Sequence, residues 1–315
     1  MAKNRIGIDV GGTNVKIALV DDKGSILYSN SVPTRAEMGY EYTVNNIKQA
    51  IRDLMSETKV TNIEGIGFDF PGQIDYKNGV VRLAPNIPGW VNIPIAKIIE
   101  DEFKIPTRID NDVHCAALGE LNFGAGKDCE NFICMTVGTG IGSGIVINGK
   151  LVRGASNAAG ELGHIKLQMY EGPLCGCGDY GCLEAFASGP SIVAMAEQYI
   201  MGGKSTKYRE MSNTGGITPF IVAEAAKQGD PVARRIFTKM GEYIGFGLAS
   251  VVNLLNPEKI IIGGGVADAG DILLDPIRET IKKRAMVVAG SAVEIVPAKL
   301  GNTAGVIGAS LLIES

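Results

Sequence analysis

Short apolar runs closed by glycine turns open the chain. Arg5 to Asp9 predicts a strand, Val10 to Thr13 a turn and Val15 to Val20 a second strand. The polar turn Asp21-Asp22-Lys23-Gly24 then leads into a third strand, Ser25–Tyr28. Val44, Ile47, Ile51, Leu54 and Met55 recur at three- and four-residue spacing, so a helix follows. Strand Glu64–Phe68, helix Ile95–Phe103, strand Thr107–Ile109 and helix Asp112–Phe123 complete an α/β unit.

The same opening recurs later. Phe132–Thr136, Gly138-Thr139-Gly140, Gly142–Ile147 and the turn Asn148-Gly149 repeat the order strand, glycine turn, strand, hairpin. Aligning Val10-Gly11 with Val137-Gly138 gives an offset of 127 residues, which points to a duplicated α/β unit. Helices are predicted at Ser191–Ile200, Pro219–Gln228, Pro231–Leu255 and Ile272–Arg284, and an apolar strand, Lys259–Ile262, ends in Gly263-Gly264-Gly265. A last helix near Thr303–Leu312 is expected to pack back on the first unit, and Met201–Gly216 reads as a mobile loop.

Composition narrows the class. A chain of 315 residues, 45% hydrophobic, suits two domains of ordinary size. The 42 glycines are nearly twice the usual share of about 7%, and their clustering implies tight turns and backbone close to a ligand. A net charge of −4 argues against nucleic acid and anionic membranes as partners. No run of about 18 apolar residues is present, and Met1 to Arg5 lead straight into a strand without a signal-peptide core. A cytoplasmic protein is expected, with its six cysteines as thiols or metal ligands rather than disulfides.

Three glycine clusters end predicted strands: Asp9-Val10-Gly11-Gly12-Thr13, Gly138-Thr139-Gly140 and Gly263-Gly264-Gly265. Bare backbone N–H groups there suit a phosphate tail, and Asp9 beside the first suits Mg²⁺, which takes only one or two carboxylates. Two other phosphate motifs fail. Gly203-Lys204-Ser205 imitates the end of a P-loop, but Gln198 stands where the first glycine is required. Ser143 stands where a dinucleotide fingerprint starting at Gly138 needs its last glycine.

Cys175, Cys177 and Cys182 crowd into eight residues of a glycine-rich knuckle, Cys175-Gly176-Cys177-Gly178-Asp179-Tyr180-Gly181-Cys182. Zinc takes four soft or borderline ligands, and His164, one of only two histidines, is the natural fourth. The other, His114, falls inside a predicted helix among core-type residues, and a structural role is expected for it.

These residues together resemble the ROK family of sugar kinases and repressors, within the actin/hexokinase-like ATPase superfamily. The resemblance covers essentially the whole chain. Its most specific part is Glu161-x-x-His164 followed by Cys175-x-Cys177-Gly178-x-x-Gly181-Cys182-x-Glu184, whereas Asp9-x-Gly11-Gly12-Thr13 marks only the superfamily. It implies a duplicated actin- or ribonuclease H-like two-domain α/β fold with an interdomain active-site cleft. The expected domains are 1–118, with 303–315 packed on it, and 119–302, which holds the zinc loop.

Position by position, the resemblance implies that Asp9–Thr13 is the first phosphate loop, with Asp9 near Mg²⁺, and Gly138-Thr139-Gly140 the second. Gly264 and Gly265 fall in the adenosine-side turn. Asn111-Asp112 matches a pair in which the asparagine holds the sugar and the aspartate is the catalytic base. Glu161, His164 and Glu184, and also Asn86, match residues that contact sugar hydroxyls; His164 would serve both zinc and sugar. His114-Cys115 departs from relatives that often carry small or amide residues there.

The implied activity is ATP-dependent phosphorylation of a hexose 6-hydroxyl, most readily glucose, with Mg²⁺ and a structural Zn²⁺, in a homodimer or homotetramer. The alternatives are an N-acetylhexosamine (N-acetylmannosamine or N-acetylglucosamine), fructose or allose kinase, or a sugar-responsive regulator lacking its DNA-binding domain. Regulators of the family carry a helix-turn-helix ahead of the phosphate loop, and only eight residues precede Asp9, so the expectation is an enzyme.

Overall fold

In the computed structural model, which describes residues 3–84, 87–212 and 215–314, the first apolar runs build one sheet. β1 (Asn4–Val10) pairs antiparallel with β2 (Asn14–Val20), and β2 with β3 (Ile26–Pro33). Helix α1 (Tyr40–Thr58) turns Val44, Ile47, Ile51 and Leu54 inward, and β4 (Ile63–Phe70) returns parallel to β1. A small antiparallel sheet follows, made of β5 (Gln73–Asp75), β6 (Val80–Leu83) and β7 (Val91–Ile93). Then come α2 (Ile95–Phe103), β8 (Thr107–Asn111), which lies parallel to β4, and α3 (Asp112–Phe123). The main sheet has the order β3-β2-β1-β4-β8.

This first unit comprises residues 1–128, 144–159 and 299–315, and α3 runs unbroken through residue 118 within it. Its core gathers Ile6, Ile8, Ile47, Ile51, Phe68 and Ile109 with Trp90, which packs on Phe70 at 4.6 Å between ring centroids. The C-terminal helix Ala304–Ser310 lies on the sheet so closely that a Cβ on Gly67 would overlap the carbonyl of Ala309. Only glycine permits that approach.

A second sheet contains β9 (Phe132–Val137), β10 (Ile141–Ile147), β11 (Lys150–Val152), β12 (Lys259–Gly263) and β13 (Glu294–Pro297), in the order β11-β10-β9-β12-β13. Its hairpin β10–β11 is antiparallel, whereas β9, β12 and β13 run parallel. The order matches the first sheet strand for strand, so the recurrence at an offset of 127 residues corresponds to two like sheets.

The second unit comprises residues 129–143 and 160–298. Its helices are α4 (Leu183–Ala187), α5 (Gly189–Met201), α6 (Lys207–Met211), α7 (Pro219–Lys227), α8 (Pro231–Leu255), α9 (Asp271–Arg284) and α10 (Val287–Ala292). The longest, α8, begins with both helix-start signals: Asp230 accepts the Val232 and Ala233 N–H groups, and Pro231 takes the first helical position. Ile236, Phe237, Met240, Ile244 and Leu248 then carry its apolar face into a core with Ile133, Met135, Ile260 and Ile262.

The segment 201–216, expected as a mobile loop, contains α6. Tyr208 anchors it, fully buried and donating to the Ala196 carbonyl at 3.1 Å. Among the described residues no helix is long and apolar enough to cross a membrane.

Candidate active site

In the first unit, parallel strands bring acidic residues into one row. Asp9 on β1 lies opposite Asp69 on β4, and Asp69 opposite Asp110 on β8. The Asp9 carboxylate pairs with Lys16 Nζ at 3.1 Å, and the turn after it is closed by the Gly11 N–H donating to the Asn14 carbonyl at 2.9 Å. Asp69 is buried between Phe68 and Phe70, and its Oδ1 has no hydrogen-bond partner. Burial pushes its carboxyl well above the ordinary value, and the neighbouring Asp9 and Asp112 add to the rise.

At the end of β8, Asn111 caps α3 by accepting the Val113 N–H at 3.0 Å, while its Nδ2 donates to the Gly72 carbonyl at 3.2 Å. Asp112 is the first residue of α3 and is partly buried. Its Oδ1 also accepts the Val113 N–H, at 3.0 Å. Desolvation raises the Asp112 pKa to about 6, with Asp9 contributing, against the lowering effects of the Val113 bond and of His114. Such a carboxylate is ionised at neutral pH yet more basic than an exposed aspartate.

In the second unit, the Gly138 N–H donates to the Gly140 carbonyl at 2.9 Å, so Gly138-Thr139-Gly140 is a tight turn between β9 and β10. Gly264 sits against the backbone of Val137 with φ +85°, a left-handed conformation, and the Val266 N–H donates to the Val137 carbonyl at 3.1 Å. The last glycine cluster and the second turn are thus adjoining backbone.

The knuckle lies in the same unit. His164 ends a 3-10 turn, Leu162–His164, that Glu161 precedes. The ligand atoms of His164, Cys175, Cys177 and Cys182 all lie within 4.8 Å of one another. Cys177 and Cys182 Sγ are 3.8 Å apart, and Cys175 Sγ is 3.7 Å from His164 Nδ1. A tetrahedral zinc with bonds of ~2.3 Å requires ligand atoms roughly 3.8 Å apart. The donor set and its spacing fit that ion. With Nδ1 toward the thiols, His164 turns Nε2 toward the Glu161 carboxylate, at 3.8 Å.

Glu184, on α4 two residues past Cys182, spans the knuckle and the turn. Oε1 lies 3.7 Å from Cys175 Sγ, and Oε2 accepts the Ile141 N–H at 2.8 Å. Asn86 lies outside the described residues.

Sequence reasoning overlooked Asp69 and Lys166. An acid inside the apolar run Ile66–Phe70 was a readable signal for Asp69. Lys166, whose Nζ is 3.0 Å from Cys182 Sγ and 2.6 Å from Asp179, carried none.

A model of the ROK family matches residues 5–315. A glucokinase of Halalkalibacterium halodurans is 38% identical over 312 residues, spanning 98% of this chain and 94% of that one. A xylose repressor of Caldicellulosiruptor bescii is 33% identical over 312 residues, spanning 98% of this chain and 78% of the repressor. The crystal structure of a ROK family glucokinase from Streptomyces griseus in complex with glucose and AMPPNP has a TM-score of 0.84 at 36% identity, with 98% of both chains covered. The two like sheets are those of the actin-like two-domain ATPase fold of ROK glucokinases. Matched along nearly its whole length by the family model, the chain belongs to the ROK family.

Proposed function

We propose that the chain is an ATP-dependent hexose kinase that phosphorylates the 6-hydroxyl of glucose, with Asp112 as general base. The observation that carries this reading is the Asp112 carboxylate at the start of α3, with its pKa near 6. A sugar hydroxyl is a poor nucleophile, and a base of that strength assists it most at neutral pH. The sugar- and AMPPNP-bound glucokinase with the same fold supports the pairing of substrates.

In the proposed reaction the 6-hydroxyl oxygen bonds to the γ-phosphorus of ATP as the bond to ADP breaks. Asp112 takes the hydroxyl proton, and sugar 6-phosphate and ADP leave. Asn111, Glu161, His164 and Glu184 are directional partners for sugar hydroxyls, supplying an amide, two carboxylates and an imidazole. The backbone N–H groups of Gly11–Thr13 and Gly138–Gly140 bind the phosphates, and Gly264 and Gly265 flank the nucleoside. Mg²⁺, held with ATP near Asp9, would neutralise phosphoryl charge. Zn²⁺, held by His164, Cys175, Cys177 and Cys182, would fix the knuckle and the tautomer of His164.

An ADP-release assay against glucose, fructose, allose, N-acetylmannosamine and N-acetylglucosamine tests the reading. The highest kcat/KM is expected with glucose. A higher value with another sugar would reassign the substrate. Sugar binding by calorimetry without turnover on any of them would favour the regulatory reading that the xylose repressor's similarity offers.

A further inference from the structure

Three side chains of the first unit form a closed buried network around the start of α3. His114 Nδ1 lies 2.9 Å from Asp110 Oδ1, and Nε2 lies 3.1 Å from the carbonyl of Ala159. Arg153 Nε donates to Asp110 Oδ2 at 2.7 Å, and its guanidinium stacks 3.9 Å over the Tyr76 ring. Asp110 Oδ1 also accepts the Asn111 N–H at 2.8 Å. His114 and Asp110 are both about 2% or less exposed.

The proton count follows from these partners. A backbone carbonyl only accepts, so His114 Nε2 carries a proton. The Asn111 N–H on Oδ1 and the Arg153 guanidinium on Oδ2 favour the carboxylate form of Asp110, to which Nδ1, 2.9 Å from Oδ1, then donates. The ring is therefore an imidazolium. Burial alone would lower its pKa, but the bond to Asp110 and that carboxylate's charge outweigh burial and raise it. Conversely, burial would raise Asp110, and the bonds to His114 and Arg153 hold it below the ordinary value.

The surrounding charges give this cation a task. Facing it are Asp110 on β8, Arg153 after β11 and Asp112 on its own helix, and Asp112 also feels the Asp9 carboxylate on β1. With His114 charged, two cations, His114 and Arg153, face the Asp110 carboxylate, and one of them acts on Asp112. Without its proton, the base loses the one cation that lowers its pKa and keeps the Asp9 charge that raises it.

We propose that His114 is a permanently protonated positioning residue that keeps Asp112 ionised at neutral pH and ties the Ala159 backbone to the start of α3. The part concerning Asp112 rests on the kinase reading above. The charge state of the ring does not.

Because the chain has only two histidines, ¹⁵N-histidine labelling of the full-length protein gives two ring systems. His164→Asn or His114→Asn, whichever folds, assigns them by difference. Long-range ¹H–¹⁵N correlation spectra are expected to show both His114 nitrogens protonated from pH 6 through pH 8. A neutral ring at pH 7 would overturn the proposal. In kinetics, His114→Gln is expected to move the acid limb of kcat/KM upward by about one pH unit and to lower kcat more than it raises KM for ATP. An unmoved limb in a folded, active variant would refute the electrostatic role. If Asp112→Asn kept full turnover while the ring was an imidazolium, the kinase mechanism would fail and the charge assignment would stand.

Discussion

Glu184 holds Ile141 by its backbone: Oε2 accepts the Ile141 N–H at 2.8 Å, just past the Gly138–Gly140 turn. The same carboxylate lies 3.7 Å from Cys175 Sγ through Oε1. One side chain therefore joins the thiol knuckle to the turn assigned to phosphate. A sugar hydroxyl bound to Glu184 would meet a group already oriented by the backbone, which reduces the ordering cost of binding.

Gly140→Ala tests that link. A Cβ there would overlap Glu184 Oε2, so the carboxylate must swing away and release the Ile141 N–H. A hydrogen bond to a charged group contributes about 1.5–3 kcal/mol, so kcat/KM for the sugar should fall roughly 10- to 100-fold. Because the turn loses its tether, KM for ATP should rise as well. Steady-state kinetics with each substrate varied would measure both. Loss confined to the sugar would show that Glu184 does not organise the turn.

The knuckle should hold about one zinc per chain, as its four ligands allow. Elemental analysis of protein purified without chelators measures this directly. Cys177→Ser should lower the zinc content and the melting temperature together, since metal binding energy in such a loop is folding energy. Full zinc occupancy in that variant would remove Cys177 from the ligand set.

Glu120 shows what could not be read in advance. This glutamate on α3 is fully buried. Oε1 accepts the Lys299 and Leu300 N–H groups at 3.0 and 2.8 Å, and Oε2 accepts that of Ala125 at 2.6 Å. Those partners are 5 to 180 residues away, so no local pattern announces them. Glu120→Ala would strand three N–H donors and should cost about 3–5 kcal/mol by urea unfolding. A cost below about 1 kcal/mol would mean that water replaces the carboxylate.

Periodicity and turns made most of the fold legible. Helices α3, α7 and α8 carry side-chain caps from Asn111, Thr218 and Asp230, and the repeated strand–glycine turn marks both sheets. The small sheet β5–β7 escaped because its strands are only three or four residues long. β13 and α10 escaped for a similar reason: each is short, and β13 is placed by pairing with β12 rather than by its own pattern. The thiols and His164 were readable because local spacing sets their geometry. The row Asp9, Asp69 and Asp110 was not, because register between strands far apart in sequence creates it.

Asp112→Asn separates catalysis from stability. Its carboxyl is raised from 3.8 to about 6 in the folded chain, chiefly by desolvation. The folded chain therefore binds this proton more tightly than the unfolded one. Ionisation costs stability as pH rises from about 4 through about 6, and the cost persists above that range. Asparagine never ionises, so the variant should be more stable at pH 7.5, on the order of 1–2 kcal/mol after allowing for the residue's partial exposure. At pH 3 that gain should vanish. Turnover should fall ~10²–10⁴-fold, the usual contribution of a positioned base, while sugar binding by calorimetry persists. In the parent protein kcat/KM should drop tenfold per pH unit below about 6, where Asp112 takes up its proton. Turnover within a few-fold of the parent would remove Asp112 as the base. Lost turnover without the stability gain would mean that its carboxylate is solvated, and that something other than its basicity is used.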